Sequence, residues 1–226
     1  MLQIGSVTFE KKRNLVSFRI RDRKNIKKVL IPIFEGFPLI TSKKLDYIVF
    51  KESCDILDNS NLNKSEKDLL IIKLKEKLII AKEELNNNNY KEINNFNIIP
   101  MNDEWLIGFW EAEGSFFIKK HEKNSFVHTI GITQKLDKVI LNTIKDKFKI
   151  TSSIKYNAKK NFYKIETSRS RVLENIILFF NNKLLGVKSL EFKIWKRTLK
   201  FKNDYLKLQR VQSLLQKIRK FRSFDN

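Results

Sequence analysis

Midway along the chain the apolar stretch Leu106-Ile107-Gly108-Phe109-Trp110-Glu111-Ala112-Glu113-Gly114 carries two carboxylates near its end. Gly108 and Ala112 are four apart, on one face of a helix, so a second helix can approach there backbone to backbone. Glu113 closes the helical pattern, where the dipole opposes a carboxylate by roughly 0.3–1 kcal/mol. A hard divalent cation reverses that penalty, because Mg²⁺ takes oxygen ligands. A solvated helix end is the plainer reading of the same residue. Glu111 is the second choice as a ligand, with a structural role favoured. The chain has only His121 and His128 and one cysteine, Cys54, which excludes a multi-histidine centre, a cysteine zinc site and an intrachain disulfide.

Charge names the class of partner. Lys and Arg number 46 against 25 Asp and Glu, a net charge of +21 in 226 residues. Such an excess favours a polyanion, since each neutralised phosphate releases a condensed counterion. A membrane surface is the competing polyanion, but no run of about 18 apolar residues occurs and the basic residues are spread along the chain. Nucleic acid is the expected partner, and no membrane.

The elements that must position these groups repeat. Residues 4–52 align with 151–197: Ser6 with Ser153, Val7 with Ile154, Phe9 with Tyr156, Val16 with Tyr163 and Phe18 with Ile165. After a short gap Leu39 meets Leu184, Lys43 meets Lys188, Asp46 meets Glu191 and Phe50 meets Trp195. The second copy is complete. Asn102 caps a helix over Asp103–Ala112, with Asp103 and Glu104 in its first turn, and Gly114 stops it. Strands follow at Ser115–His121 and Ser125–Thr133 around a Glu122–Asn124 turn, then a helix at Leu136–Phe148. A second hairpin spans Ser152–Asn157 and Asn161–Thr167, and helices Arg171–Phe180 and Lys188–Phe201 complete an αββαββα unit. The first copy enters at its second hairpin, with strands near 5–10 and 14–21 and helices near 23–35 and 42–54. Its first helix and hairpin would precede Met1. Four segments result: residues 1–55 as the half repeat, 56–101 as a helical, Asn-rich linker (helix Lys64–Leu85, polar tract Asn86–Asn97), 102–202 as the whole repeat, and 203–226 as a basic tail with a helix around Tyr205–Phe221.

The stretch Leu106–Gly114, preceded by Trp105 and continued by Ser115-Phe116, resembles the LAGLIDADG signature of homing endonucleases and their intron-maturase relatives. With the repeat and the charge, the resemblance covers essentially the whole chain. It implies an α+β fold of αββαββα units with an antiparallel β-saddle, the first unit incomplete here. It implies that two motif helices pack together through positions such as Gly108 and Ala112, and that Glu113 holds a catalytic divalent ion, Mg²⁺, over a scissile phosphate. By the same resemblance Gln134 holds a water near the metal, and Lys43 and Lys188 stabilise phosphate charge.

Strand alternation assigns faces. Val7, Phe9, Val16 and Phe18 fall on an apolar side, with Ile154, Tyr156, Tyr163 and Ile165, where core packing is expected. The opposite side carries Ser6, Thr8, Ser17, Arg19 and Arg21, and then Lys155, Asn157, Lys164 and Glu166. In the complete copy it adds Ser115, Lys119, His121, Ser125, Thr129 and Thr133. A face of this composition suits the major groove of double-stranded DNA, taken as a set. His128 falls on the apolar side as a core histidine.

A working monomer of the resembled family needs two motif helices, and this chain has one. A missing N-terminal segment or a second chain would supply the other, and little or no double-strand cleavage is expected of this chain alone. The leading function is a site-specific, metal-dependent DNA endonuclease encoded in a mobile intron, making a staggered double-strand break. The alternative is a maturase that stabilises folded intron RNA without cutting. The Lys-, Asn-, Ile- and Phe-heavy composition is compatible with an A/T-rich organellar genome, and a mitochondrial location is the expectation.

Overall fold

In the computed structural model, which describes residues 3–13, 15–87, 101–122, 125–202 and 204–222, the alternating segments near the N-terminus form an antiparallel hairpin. Strand β1 (Ser6–Glu10) pairs with β2 (Leu15–Arg19), Ser6 opposite Arg19 and Phe9 opposite Val16. The helix expected near 23–35 is interrupted. Short α1 (Arg23–Asn25) runs through a π-helical turn, Ile26–Leu30, into α2 (Ile31–Gly36). Pro32 is the cause: its ring would strike the carbonyl of Lys28 in a regular α-helix, so the turn widens and Ile31 N–H reaches Ile26 O instead. Helix α3 (Lys43–Asp58) packs along α4 (Lys64–Asn87). Asn63 and Glu66 exchange side-chain to backbone bonds of 3.0 and 2.8 Å, a capping box that starts α4. These elements belong to a compact unit, Met1–Ile99, whose buried cluster of Ile26, Ile31 and Cys54 is small. The Asn-rich tract from residue 88 onward lies outside the described residues.

The hairpin corrects one expectation. Val7, Phe9, Val16 and Phe18 share a face as alternation requires, but they are 52–69% exposed rather than core. Two strands cannot bury a face on themselves, and among the described residues no third strand joins β2.

The second unit, Pro100–Asn226, shows what such a hairpin looks like when covered. Asn102 accepts the Trp105 N–H at 2.7 Å and opens α5 (Asp103–Glu113). Strands β3 (Gly114–Glu122) and β4 (Ser125–Gln134) follow, then α6 (Lys138–Lys147), β5 (Lys155–Asn157), β6 (Phe162–Thr167), α7 (Ser170–Phe180), α8 (Val187–Arg197) and α9 (Tyr205–Arg222). The antiparallel sheet has the order β3-β4-β6-β5, and residues 123 and 124 of the β3–β4 turn lie outside the described set. One face is packed by helices around an aromatic cluster, with Phe116 in ring contact with Trp110, Phe180, Phe192 and Trp195. Each such side chain contributes about 1.5–3 kcal/mol by leaving water. The fold is thus a mixed one, helices on antiparallel sheet.

His128 is in this core, as its alternation indicates. Its Nε2 lies 3.0 Å from the Thr198 hydroxyl and its ring meets Trp195 edge-on. Burial, helped by the Lys202 charge, lowers its pKa from 6.5 to about 4. Unfolding therefore takes up a proton between those values: the stability that neutral His128 contributes is complete above pH 6.5, erodes as pH falls, and is gone below about pH 4. We expect denaturant stability to drop by about 3 kcal/mol across that window, and His128→Phe to flatten the drop. An unchanged pH profile in the variant would contradict this.

Candidate functional site

The helix-to-strand junction is fixed by a steric detail. A Cβ on Gly114 would fall 2.2 Å from Cδ1 of the Trp110 ring, so only glycine lets that ring close over the turn. The residue ends the helix, as expected from the sequence, in an extended conformation (φ −71°, ψ 159°) that begins β3. Glu113 is consequently the last helical residue and leads straight into the sheet, where Gly114 lies opposite Ile132.

The two motif carboxylates have different surroundings. Glu111 Oε1 accepts the backbone N–H groups of Leu185 and Gly186 at 2.6 and 2.9 Å, holding the loop that starts α8. A side chain on Gly186 would collide with that carboxylate at 2.9 Å. Glu113 is exposed and lines a cleft of about 260 Å³ together with Ser115, Phe117, Gly131, Ile132, Thr133, Lys164, Glu166 and Arg219. Sheet register explains the grouping. Ser115, Gly131 and Glu166 form one cross-strand row, and Thr133, Lys164 and Lys155 the next. Gly131 leaves the space that Glu166 and Phe117 fill, since a Cβ there would lie 3.0 Å from Glu166 Cγ. Glu166 forms ion pairs with Lys164 and, at 3.3 Å, Lys119.

Of the residues singled out from sequence, five meet in the cleft: Glu113, Ser115, Thr133, Lys164 and Glu166. Lys155 is exposed at the β5 end of its row, and Asn157 Oδ1 accepts the Lys160 N–H at 3.0 Å, shaping the hairpin turn. Ser125 is half-buried on β4, and His121 is exposed at a register shift, 3.6 Å from the Glu122 carboxylate. Gln134 is half-buried at the end of β4 and does not line the cleft. In the other unit Ser6, Thr8, Arg19 and Arg21 are exposed and Ser17 half-buried, with Arg19 paired to Glu10.

Two expectations need correction. Thr129 is 1% exposed, its hydroxyl 2.8 Å from Ser168 Oγ, so it is an interior group of the sheet and not a surface contact. Lys188 is 5% exposed, with its ammonium 3.7 Å from the buried Glu191 carboxylate. Lys43 makes the matching pair with Asp46 at 3.1 Å, though exposed. The recurrence of these lysines in the repeat thus has a structural reason, an ion pair between residues three apart on a helix. Arg219 was overlooked, because a basic tail helix gives no local sign of which cation turns inward.

The chain is similar in sequence and in fold to known proteins. The sequence profile described as LAGLIDADG endonuclease matches residues 1–54 and 106–199. A probable intron-encoded endonuclease, Cox1-I1b of Schizosaccharomyces pombe, is 37% identical over 96% of this chain, which spans 56% of that protein's length. The probable intron-encoded endonuclease aI3 of Dictyostelium citrinum is 33% identical over 85% of this chain and 73% of its own. Among solved structures, I-SmaMI bound to uncleaved DNA target in the presence of calcium ions superposes with a TM-score of 0.74 at 24% identity, over 94% of this chain and 78% of that one.

The two motif glycines should respond oppositely to alanine. Gly114→Ala should cost about 1–3 kcal/mol by overpacking against Trp110, measured by urea denaturation. Gly108→Ala, whose added Cβ meets nothing within 4 Å, should be neutral or stabilise α5 by up to about 1 kcal/mol. Equal losses for both would refute the steric account.

Proposed function

Because the chain belongs to the LAGLIDADG endonuclease family, we propose that it forms part of a site-specific double-stranded DNA endonuclease of the intron-homing type, with Glu113 as the metal-holding acid of one strand-cleaving site. The observation that carries the reading is the division between the two motif acids. Glu111 is committed to backbone amides, whereas Glu113 opens onto a cleft walled by Ser115, Thr133 and Lys164.

Among the described residues no cluster of three or more acidic, His or Cys side chains could cage a metal. That suits Mg²⁺, which is commonly held by one or two carboxylates with the remaining positions left to substrate phosphate and water. A divalent ion bound there would supply an activated water and offset charge on the phosphate. The chain's own groups do the rest: Glu113 provides the carboxylate oxygen, Lys164 brings a cation to the same wall, and the Ser115 and Thr133 hydroxyls can donate to phosphate oxygens. On the N-terminal hairpin and the residues that follow it, the exposed polar set Ser6, Thr8, Arg19 and Arg21, with Ser17, is a groove-reading surface of its own unit. Gln134 and Lys43 keep the roles that the family pattern gives them as parts of this proposal.

A second motif helix is required, and two surfaces suit it and its attached strands. Gly108 and Ala112 are exposed on α5 with open space at Gly108, and the apolar face of β1–β2 is exposed. A further segment of polypeptide or a second chain of helix–hairpin build would supply that helix. Intron RNA is the second reading, favoured by a separate basic hollow of about 880 Å³ lined by Arg21, Arg23, Lys24, Lys27 and Lys28 with Asp22 and Asp58. Among the described residues no helix is long and apolar enough to cross a membrane. The intron-encoded relatives and the A/T-leaning composition support organellar, mitochondrial expression.

The test is binding followed by cutting. The chain should bind mixed-sequence duplex DNA at low salt, with affinity falling steeply as salt rises, and should cut poorly alone. Once completed by a second motif helix, Glu113→Gln should reduce Mg²⁺-dependent cleavage by at least about a hundredfold without loss of binding. No duplex binding at low salt would refute the nuclease reading, and intron splicing that survives Glu113→Gln without any cleavage would select the RNA reading.

A further inference from the structure

Helix α9 meets β3 and β4 through residues spaced three and four apart: Tyr205, Leu208, Gln212, Leu215 and Arg219. The apolar members anchor it. The Tyr205 ring lies tilted against that of Phe126 on β4, centroids 5.0 Å apart, and Leu208 and Leu215 are fully buried. The two polar members donate to the strand's main chain, Gln212 to the carbonyl of Ile118 at 2.9 Å and Arg219 to that of Phe116 at 2.5 Å. Strand β3 is the edge of its sheet, and the helix covers backbone acceptors that an open edge would present.

Arg219 does more than close the edge. Its Nε donates to Glu191 Oε2 at 3.2 Å, and the same oxygen lies 3.7 Å from Lys188 Nζ. Lys188, Glu191 and Arg219 thus form a group with one carboxylate and two cations. Lys188 and Glu191 are in the interior, whereas the Arg219 side chain is about one-third exposed and reaches the wall of the cleft that Glu113 lines. Its guanidinium also lies 6.0 Å from the centroid of the Phe117 ring, a second member of that wall. A planar guanidinium with five donors can keep its protein bonds and still turn an edge toward a phosphodiester.

We propose that Arg219, delivered by the C-terminal helix, is a phosphate-contacting residue of the Glu113 cleft, so that the tail is part of the nucleic-acid site. The proposal rests on the nuclease reading of that cleft. It adds to Lys164 a second phosphate-facing cation of the cleft, from outside the αββαββα repeat, while Lys188, the repeat's own candidate, secures Glu191 beneath it.

The experiment is the salt dependence of full-length chain binding to a labelled mixed-sequence DNA duplex, read by fluorescence anisotropy. Losing one phosphate contact should lower the slope of log K against log salt by about 0.9. Arg219→Gln should show that decrease and Arg219→Lys, which keeps the charge, should not. Should Arg219→Gln fail to fold because Glu191 loses its partner, the combined variant Lys188→Met, Glu191→Leu, Arg219→Met removes the whole buried ionic group and should show the same lowered slope. A folded variant of either kind with the wild-type slope overturns the proposal. Failure of the unmodified chain to bind duplex at all would instead overturn the nuclease reading on which it rests.

Discussion

The closure of Trp110 over Gly114 governs how this protein presents chemistry. With no Cβ at residue 114, the indole ring drops against the turn and joins Phe116, Phe148 and Phe180 in the core. The helix then ends one residue before the strand begins, with no loop to absorb error. The backbone of Glu113 is held: it is carried to the rim of the sheet by a helix whose other side is locked by fully buried Leu106 and Trp110. Placing a carboxylate at an element junction held by rigid packing limits the range of positions of its backbone, which a surface loop would not do.

The second motif acid supports that placement from below. Glu111 takes two main-chain N–H groups at the start of α8, and the absence of a side chain on Gly186 lets the carboxylate come close. Helix α8 in turn carries Glu191, which engages Lys188 and Arg219, and Arg219 reaches back to the β3 carbonyl of Phe116. A chain of charged and polar contacts therefore runs from the motif helix through α8 and α9 to the strand that Glu113 introduces. Charged groups in such a chain cost desolvation and contribute little net stability. What they provide is orientation, and they link the tail helix to the site.

Much of this was legible in the sequence, and the limits have physical causes. Period-two and period-3.6 patterns located every strand and long helix of the complete repeat, and Asn102 was readable as a cap because a short polar acceptor before an apolar helix has few other uses. Alternation also chose the correct face for Ser115, Thr133, Lys164 and Glu166, since register across three strands keeps like faces together. It failed for Thr129, because alternation gives a direction and not an exposure: Phe117 lies opposite on the same face and Ser168 takes the hydroxyl. Lys188 was misplaced for a related reason. Lysine is almost never buried without a partner, and the partner three residues on, Glu191, looked like another surface charge. Arg219 could not have been chosen from among the tail's cations, because the stripe that turns it inward is defined by contacts with a strand a hundred residues earlier.

The hairpins of the two repeats show how far local pattern reaches. Phe18 and Ile165 occupy matching places in matching strands, yet Phe18 is largely exposed while Ile165 is buried. The difference lies in neighbours. Strand β6 carries Ile165 against Ile132 of β4, under the roof of helices that the motif helix helps to build. Strand β2 has no such neighbour among the described residues, so the same alternation leaves its apolar side in water. Burial is therefore a property of the assembled unit and not of the strand. A sequence that keeps Val7, Phe9, Val16 and Phe18 on one face bears an aggregation liability while that face is uncovered, because strand pairing at the β2 edge extends a sheet without covering its face.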